Sequence, residues 1–168
     1  MVRMGIAPGE DEFMTLLVQA RAELQAATAP FRLEVADAQQ RLVCEFSALD
    51  TLACAFTDFT VSTDALAAAT AEQLKQLGER LSARLTYLLE PISPIEFDRE
   101  QCVVQLRSSP PERDEDRTSY YELAVRRGGS LSLRRYAKKP GDVRQAISVN
   151  VTREVFFRLV SDFSAVAV

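Results

Sequence analysis

The sequence predicts an α+β domain: a mostly antiparallel sheet, a strand meander followed by hairpins, packed by three amphipathic helices in the order α-βββ-α-ββ(ββ)β-α. Three observations predict it. Apolar residues recur with period two in stretches separated by short polar turns, which implies antiparallel pairing. Three longer stretches carry apolar residues at helical spacing. Helices of that number cover a sheet on one face. The 168 residues are 47% hydrophobic and 26% charged, the balance of a globular chain with a single core.

Residues 1–9 lack periodicity and contain Gly5, Pro8 and Gly9, so a loose N-terminus is expected before one domain over 10–168. A first helix is expected from Glu10 to Ala27, striped by Phe13, Leu16, Leu17, Ala20 and Leu24 and closed off by Pro30. Phe31, Leu33 and Val35 then alternate with Arg32 and Glu34, followed by Leu42, Cys44 and Phe46, and by Leu52, Cys54 and Phe56. A three-residue loop at Ala48, Leu49 and Asp50 would set Phe46 opposite Leu52, Cys44 opposite Cys54 and Leu42 opposite Phe56.

Ser62, Thr63 and Asp64 are candidate caps for a long second helix, and Thr70 with Gln73 offers a later capping-box start. Its stripe is Leu66, Leu74, Leu77, Leu81, Leu85 and Leu88, with Gly78 inside it and Pro91 and Pro94 ending it. Ile95 and Phe97, a turn at Asp98 to Gln101, then Cys102, Val104 and Leu106 read as a hairpin. Residues 108–118, with Pro110-Pro111 and the charged run Glu112 to Asp116, read as an exposed, mobile connection. Ile147, Val149 and Val151 make a last strand. A last helix follows from Arg153 to Ser164, capped by Thr152 and stapled by Val151 and Phe156. The same threonine completes a glycosylation acceptor, Asn150-Val151-Thr152, for which capping is the preferred reading.

The most specific local signal is the stretch Tyr120 to Tyr136, two alternating strands around Gly128-Gly129. A two-residue Gly-Gly loop pairs Val125 with Ser132 and mixes apolar with polar residues on one face. A three-residue loop, Arg127-Gly128-Gly129, pairs Val125 with Leu131 and Leu123 with Leu133, and sorts the faces, with Gly129 in a left-handed position. That register sets Tyr120 beside Tyr136 and Glu122 beside Arg134 on an outer, solvated face. With Arg126 on it and Arg127, Arg135, Lys138 and Lys139 at its edges, this is the candidate binding surface: tyrosines stack and arginines donate in a plane, the ingredients of anion or single-strand recognition.

Composition narrows function. The chain has no histidine, which excludes Ser-His and Cys-His nucleophile activation within it. Lysine or carboxylate bases remain, so an enzyme of unassigned type is the third reading. No cofactor is expected. No metal is expected either: three cysteines form no CxxC, and the carboxylates of 112–116 lack the pattern of a calcium loop. The net charge of −4 is uneven, with 8 basic and 16 acidic residues over 1–102 but 10 and 6 over 103–145. An acidic chain disfavours nucleic acid, which stays as the alternative, through the Tyr-Arg face.

No run of about 18 apolar residues and no signal-peptide layout near Met1 is present, so neither a membrane span nor secretion is expected, and the expected location is cytoplasmic. In element order the chain resembles the small acidic secretion chaperones, a class of dimeric α+β proteins, with several strands extra. The expectation is a non-enzymatic protein-interaction module, adaptor or chaperone-like, that pairs with itself as a homodimer and with an unknown protein.

Overall fold

The computed structural model describes residues 15–101 and 103–167. The start expected for the first helix at Glu10, the N-terminal nine residues and Cys102 lie outside the described residues. Among the described residues, ten strands form one antiparallel sheet, and three α-helices join them into an α+β fold.

Helix α1 runs over Leu16–Ala26 and is capped by Thr15, whose side chain accepts from the Val18 amide. Strands β1 (Phe31–Ala36), β2 (Gln40–Leu49) and β3 (Ala53–Thr63) form the first meander. A short 3-10 turn at Asp64–Leu66 follows, and α2 (Ala71–Arg84) starts at the Thr70–Gln73 capping box. This later start wins because Thr70 and Gln73 satisfy two backbone amides reciprocally. The stripe is therefore divided among the 3-10 turn at Asp64–Leu66, α2 and a second 3-10 turn at Leu85–Leu88 instead of lying on the single long helix expected, and it ends at Leu89 in the left-handed region (φ 65°).

Next come β4 (Ile92–Asp98), β5 (Val103–Ser108), β6 (Glu112–Asp114), β7 (Arg117–Arg126) and β8 (Ser130–Lys138). The connection expected over 108–118 thus contains a strand, β6, laid against Arg117–Ser119. The sheet order is β1-β2-β3-β8-β7-β5-β4. Strands β3 and β8 pair only from Phe59 to Ser62, against Leu133 to Ser130. Where they diverge, β9 (Gln145–Ile147) takes the released edge of β8 and β10 (Val149–Thr152) that of β3. The last strand expected from the sequence is split at Ser148 because it bridges two diverging partners. Helix α3 (Arg153–Val166) follows, with Thr152 accepting from the Val155 amide as expected.

The register between β2 and β3 corrects the expected one. Phe46 faces Phe56, Cys44 faces Phe59 and Leu42 faces Val61. The cause is local: Asp50 Oδ1 accepts from the Leu52 and Ala53 amides (2.8 and 2.6 Å), so the turn extends through Leu52, which is 78% exposed instead of facing the core. Irregularities on either side of Phe46 then restore the alternation. Cys44 and Cys54 are both buried, are not paired across the strands and form no disulfide.

Helices α1 and α2 flank α3 on one side of the sheet, α1 against β1 and β2, α2 against β4, β5 and β7. Phe46, Phe56, Phe59, Phe156 and Phe163 make the aromatic centre of the core, with Phe59 and Phe163 rings 4.8 Å apart and Phe46 and Phe156 5.0 Å apart. Edge-to-face packing of this kind suits the ring quadrupole. Gly78 lets α2 approach the sheet: a Cβ there would stand 3.0 Å from Leu106 Cδ1.

Candidate functional site

The β7–β8 hairpin has the three-residue-loop register, with Val125 facing Leu131, Leu123 facing Leu133 and Tyr120 facing Tyr136. Leu123, Val125, Leu131 and Leu133 are fully buried against the helices. The other face departs from expectation: Tyr120 and Glu122 are 8% and 7% exposed, although the register stands. Neighbouring arginines cover them. Arg107 of β5 lies over the Tyr120 ring (4.6 Å) and Arg144, from the segment before β9, over Tyr136 (4.0 Å), the two tyrosine rings being 6.0 Å apart. Both guanidinium groups donate to Glu122 Oε2, at 3.2 and 2.6 Å. Hydrogen bonds to the Tyr120 hydroxyl and to Glu122 raise the Arg144 pKa, so this arginine is held as a cation. Arg134 donates to Asp58 at 2.7 Å across to β3.

The eight residues of the candidate surface do not come together. Tyr120, Arg134 and Tyr136 share the outer face, which is covered at Tyr120 and half-exposed at Arg134 and Tyr136. Arg126 and Arg127 stand exposed at the hairpin tip, while Lys138 and Lys139 lie at the other end, about 27 Å away along eight residues of strand. Lys139 is 3.9 Å from Asp116. Arg135 is on the opposite, core-facing side, 8% exposed. Arg107 and Arg144, which complete the tyrosine cluster, lie outside the hairpin stretch that carries the sequence signal. Arg107 follows Leu106 on the alternate face of its strand, a usable signal, whereas nothing local points Arg144 at Tyr136.

Arg135 forms the base of a second arrangement. Its Nη1 donates to Glu90 Oε2 and its Nη2 to Glu112 Oε2, both at 2.6 Å, and the guanidinium lies 4.3 Å from the Tyr121 ring centre. Burial raises the Tyr121 pKa, partly offset by Arg135 beside it. These groups line a recess of about 580 Å³ whose walls include Leu88, Leu89, Pro91, Pro110 and Pro111. Pro91 O accepts from the Ser109 amide (2.8 Å), and Ser108 Oγ from the Tyr121 amide (2.8 Å), which fix the two sides of the recess to each other and to β7. Glu90 Oε1 is buried with no hydrogen-bond partner among the described residues. Leu89 stands 89% exposed at the rim.

Among the described residues, no group of three or more His, Cys, Asp or Glu side chains is placed to hold a metal ion. A larger groove beside α2, about 950 Å³, is lined by alanines and by polar residues such as Gln73, Gln76 and Arg80. Cys54 lines a cleft with Asn150 and Val151, and burial pushes its pKa up to about 11, which leaves it a weak nucleophile at neutral pH.

The same burial gives a pH prediction. Cys44, Cys54, Tyr87 and Tyr121 all have folded pKa values raised above their ordinary 9.0 and 10.0, chiefly by burial, with the Tyr87 hydroxyl also donating to Asp162 at 2.8 Å. Each loses its proton more readily unfolded, so its contribution is complete below the ordinary value and erodes above it. The slope is up to about 1.4 kcal/mol per pH unit per group. Urea denaturation should show stability falling from about pH 9 and more steeply above pH 10, and Cys44→Ala/Cys54→Ala should delay the onset to about pH 10. Stability unchanged through pH 10.5 would contradict the burial of these groups.

Comparison with known protein families, curated proteins and solved structures finds no match for this chain.

Proposed function

We propose that this chain is a non-enzymatic protein-interaction module that receives a segment of a partner protein in the recess between Leu88–Pro91 and Pro110–Glu112. The observation that carries the reading is the recess itself, where an exposed leucine and three prolines surround the ion pairs of a buried arginine, Arg135. Apolar walls with a few placed polar groups suit a bound segment. The alternative, a polyanion binder, is disfavoured because Arg107, Arg134, Arg135 and Arg144 each already hold a carboxylate within the fold. Arg126 and Arg127 at the hairpin tip are what it would rely on. Self-association as a homodimer belongs to the proposal.

A photoreactive residue placed at Leu89 tests the site, with one at Arg126 as the contrast. A discrete protein adduct from position 89 alone is the expected result in native cells. Nucleic acid captured from position 126, with nothing at 89, favours the alternative and overturns this reading. Light scattering on the purified chain checks self-association, and a strict monomer removes that part.

A further inference from the structure

We propose that the recess at Glu90 recognises a lysine side chain of the partner segment, an inference that rests on the interaction-module reading and names its chemistry. Charge is the first reason. The ionisable groups Glu90, Glu112 and Arg135 line the recess together with Tyr121, which is neutral at pH 7, and they sum to −1. Arg135 is therefore outnumbered by the carboxylates it holds, and one further cation makes the group neutral.

The second reason is the orphaned acceptor. Glu90 gives one oxygen to Arg135 and keeps Oε1 buried with no donor. A buried acceptor without a partner is costly, and more so on a carboxylate, so a small turn of the Glu90 carboxylate that brings Oε1 from its buried position to a donor in the recess recovers free energy that the unbound protein forgoes. An ammonium group meets this need better than a guanidinium. Both carboxylates already spend an oxygen on Arg135, so the coplanar pair that an arginine fork requires is broken, whereas a compact ammonium can use a single acceptor on each.

Shape supports the same occupant. Leu88, Pro91, Pro110 and Pro111 offer apolar wall to the methylene stem, and Glu112, its side chain 66% exposed, stands where an approaching cation meets it first. A recess of about 580 Å³ is larger than one side chain needs, so backbone and flanking residues enter with the lysine. This favours a peptide segment over a small free amine.

The probe is the pentapeptide acetyl-Ala-Ala-Lys-Ala-Ala-amide, titrated into ¹⁵N-labelled protein beside its norleucine counterpart, which keeps the stem and lacks the charge. The lysine peptide should move the amide signals of Leu88, Leu89, Glu90, Glu112 and Tyr121 saturably, and the norleucine peptide should bind at least about tenfold more weakly. Glu90→Gln should weaken the lysine peptide by about tenfold, with the rest of the spectrum unchanged. Glu112→Gln, on the exposed rim, should weaken it by about threefold and guards against a Glu90 variant that disturbs the core. Equal affinity for the two peptides, shifts confined to another surface, or no shift with either peptide would overturn the proposal. If position 89 still cross-links a protein while the lysine peptide fails, the cation preference falls and the interaction module stands.

Discussion

Arg135→Ala is expected to destabilise the protein by about 3–5 kcal/mol, because removing one partner of a buried ion pair leaves an uncompensated charge. The cost comes mainly from Glu90, whose side chain is 16% exposed, since Glu112, 66% exposed, is rehydrated readily. At this chain length the loss corresponds to a melting temperature lower by about 10 °C. Arg135→Met tests the origin: it keeps an aliphatic stem over Tyr121 but leaves the carboxylates unpaired, so it should remain destabilised. Adding Glu90→Gln to Arg135→Ala should recover about half of the loss, a non-additivity that reports direct coupling. A loss below about 1 kcal/mol for Arg135→Ala would show that solvent screens the pair.

Gly129→Ala is expected to cost about 3 kcal/mol or more, while Gly128→Ala costs about 1 kcal/mol. Both glycines have φ 92°, so backbone strain alone does not distinguish them. Their surroundings do. A Cβ on Gly128 meets nothing within 4 Å, whereas one on Gly129 would lie 1.9 Å from the carbonyl oxygen of Thr63, a backbone atom that cannot swing away. The Thr63 amide donates to Gly129 O at 2.8 Å, so any shift that relieves the clash strains the tie between the hairpin tip and the end of β3. Denaturant midpoints of the two variants, measured side by side, check the difference. Equal losses would mean that the hairpin tip is not docked on β3.

The hairpin register was legible because alternation on both strands leaves one loop length that keeps apolar residues together. The caps at Thr70 and Thr152 were legible for a similar reason: each satisfies amides within three residues of itself. By contrast, the β2–β3 register departs from simple alternation because the turn runs on through Leu52 and irregularities flank Phe46, features that alternation does not signal. The tyrosine face is solvated by the logic of the hairpin alone, and its cover arrives from β5 and from the segment before β9.

Arg135 is the instructive case. Alternation alone puts it with Leu131 and Leu133 on the inner face, and a cation there needs an anionic partner. Its partners, Glu90 and Glu112, are 45 and 23 residues away in the chain, so a sequence can raise the demand without identifying what meets it.

What the sequence by itself determined is the α+β class, the order of its elements and the pairing within the Gly-Gly hairpin, since periodicity, capping and turn chemistry act over a few residues. Only the tertiary structure decided which charges are spent inside the fold and which stay exposed. Ion pairs and recesses are made by side chains that the sheet brings together across many residues of chain. The Glu90–Arg135 recess exists because the 3-10 turn that follows α2 ends at Leu89 and sets Glu90 against Arg135 of β8, a meeting that no local interaction specifies.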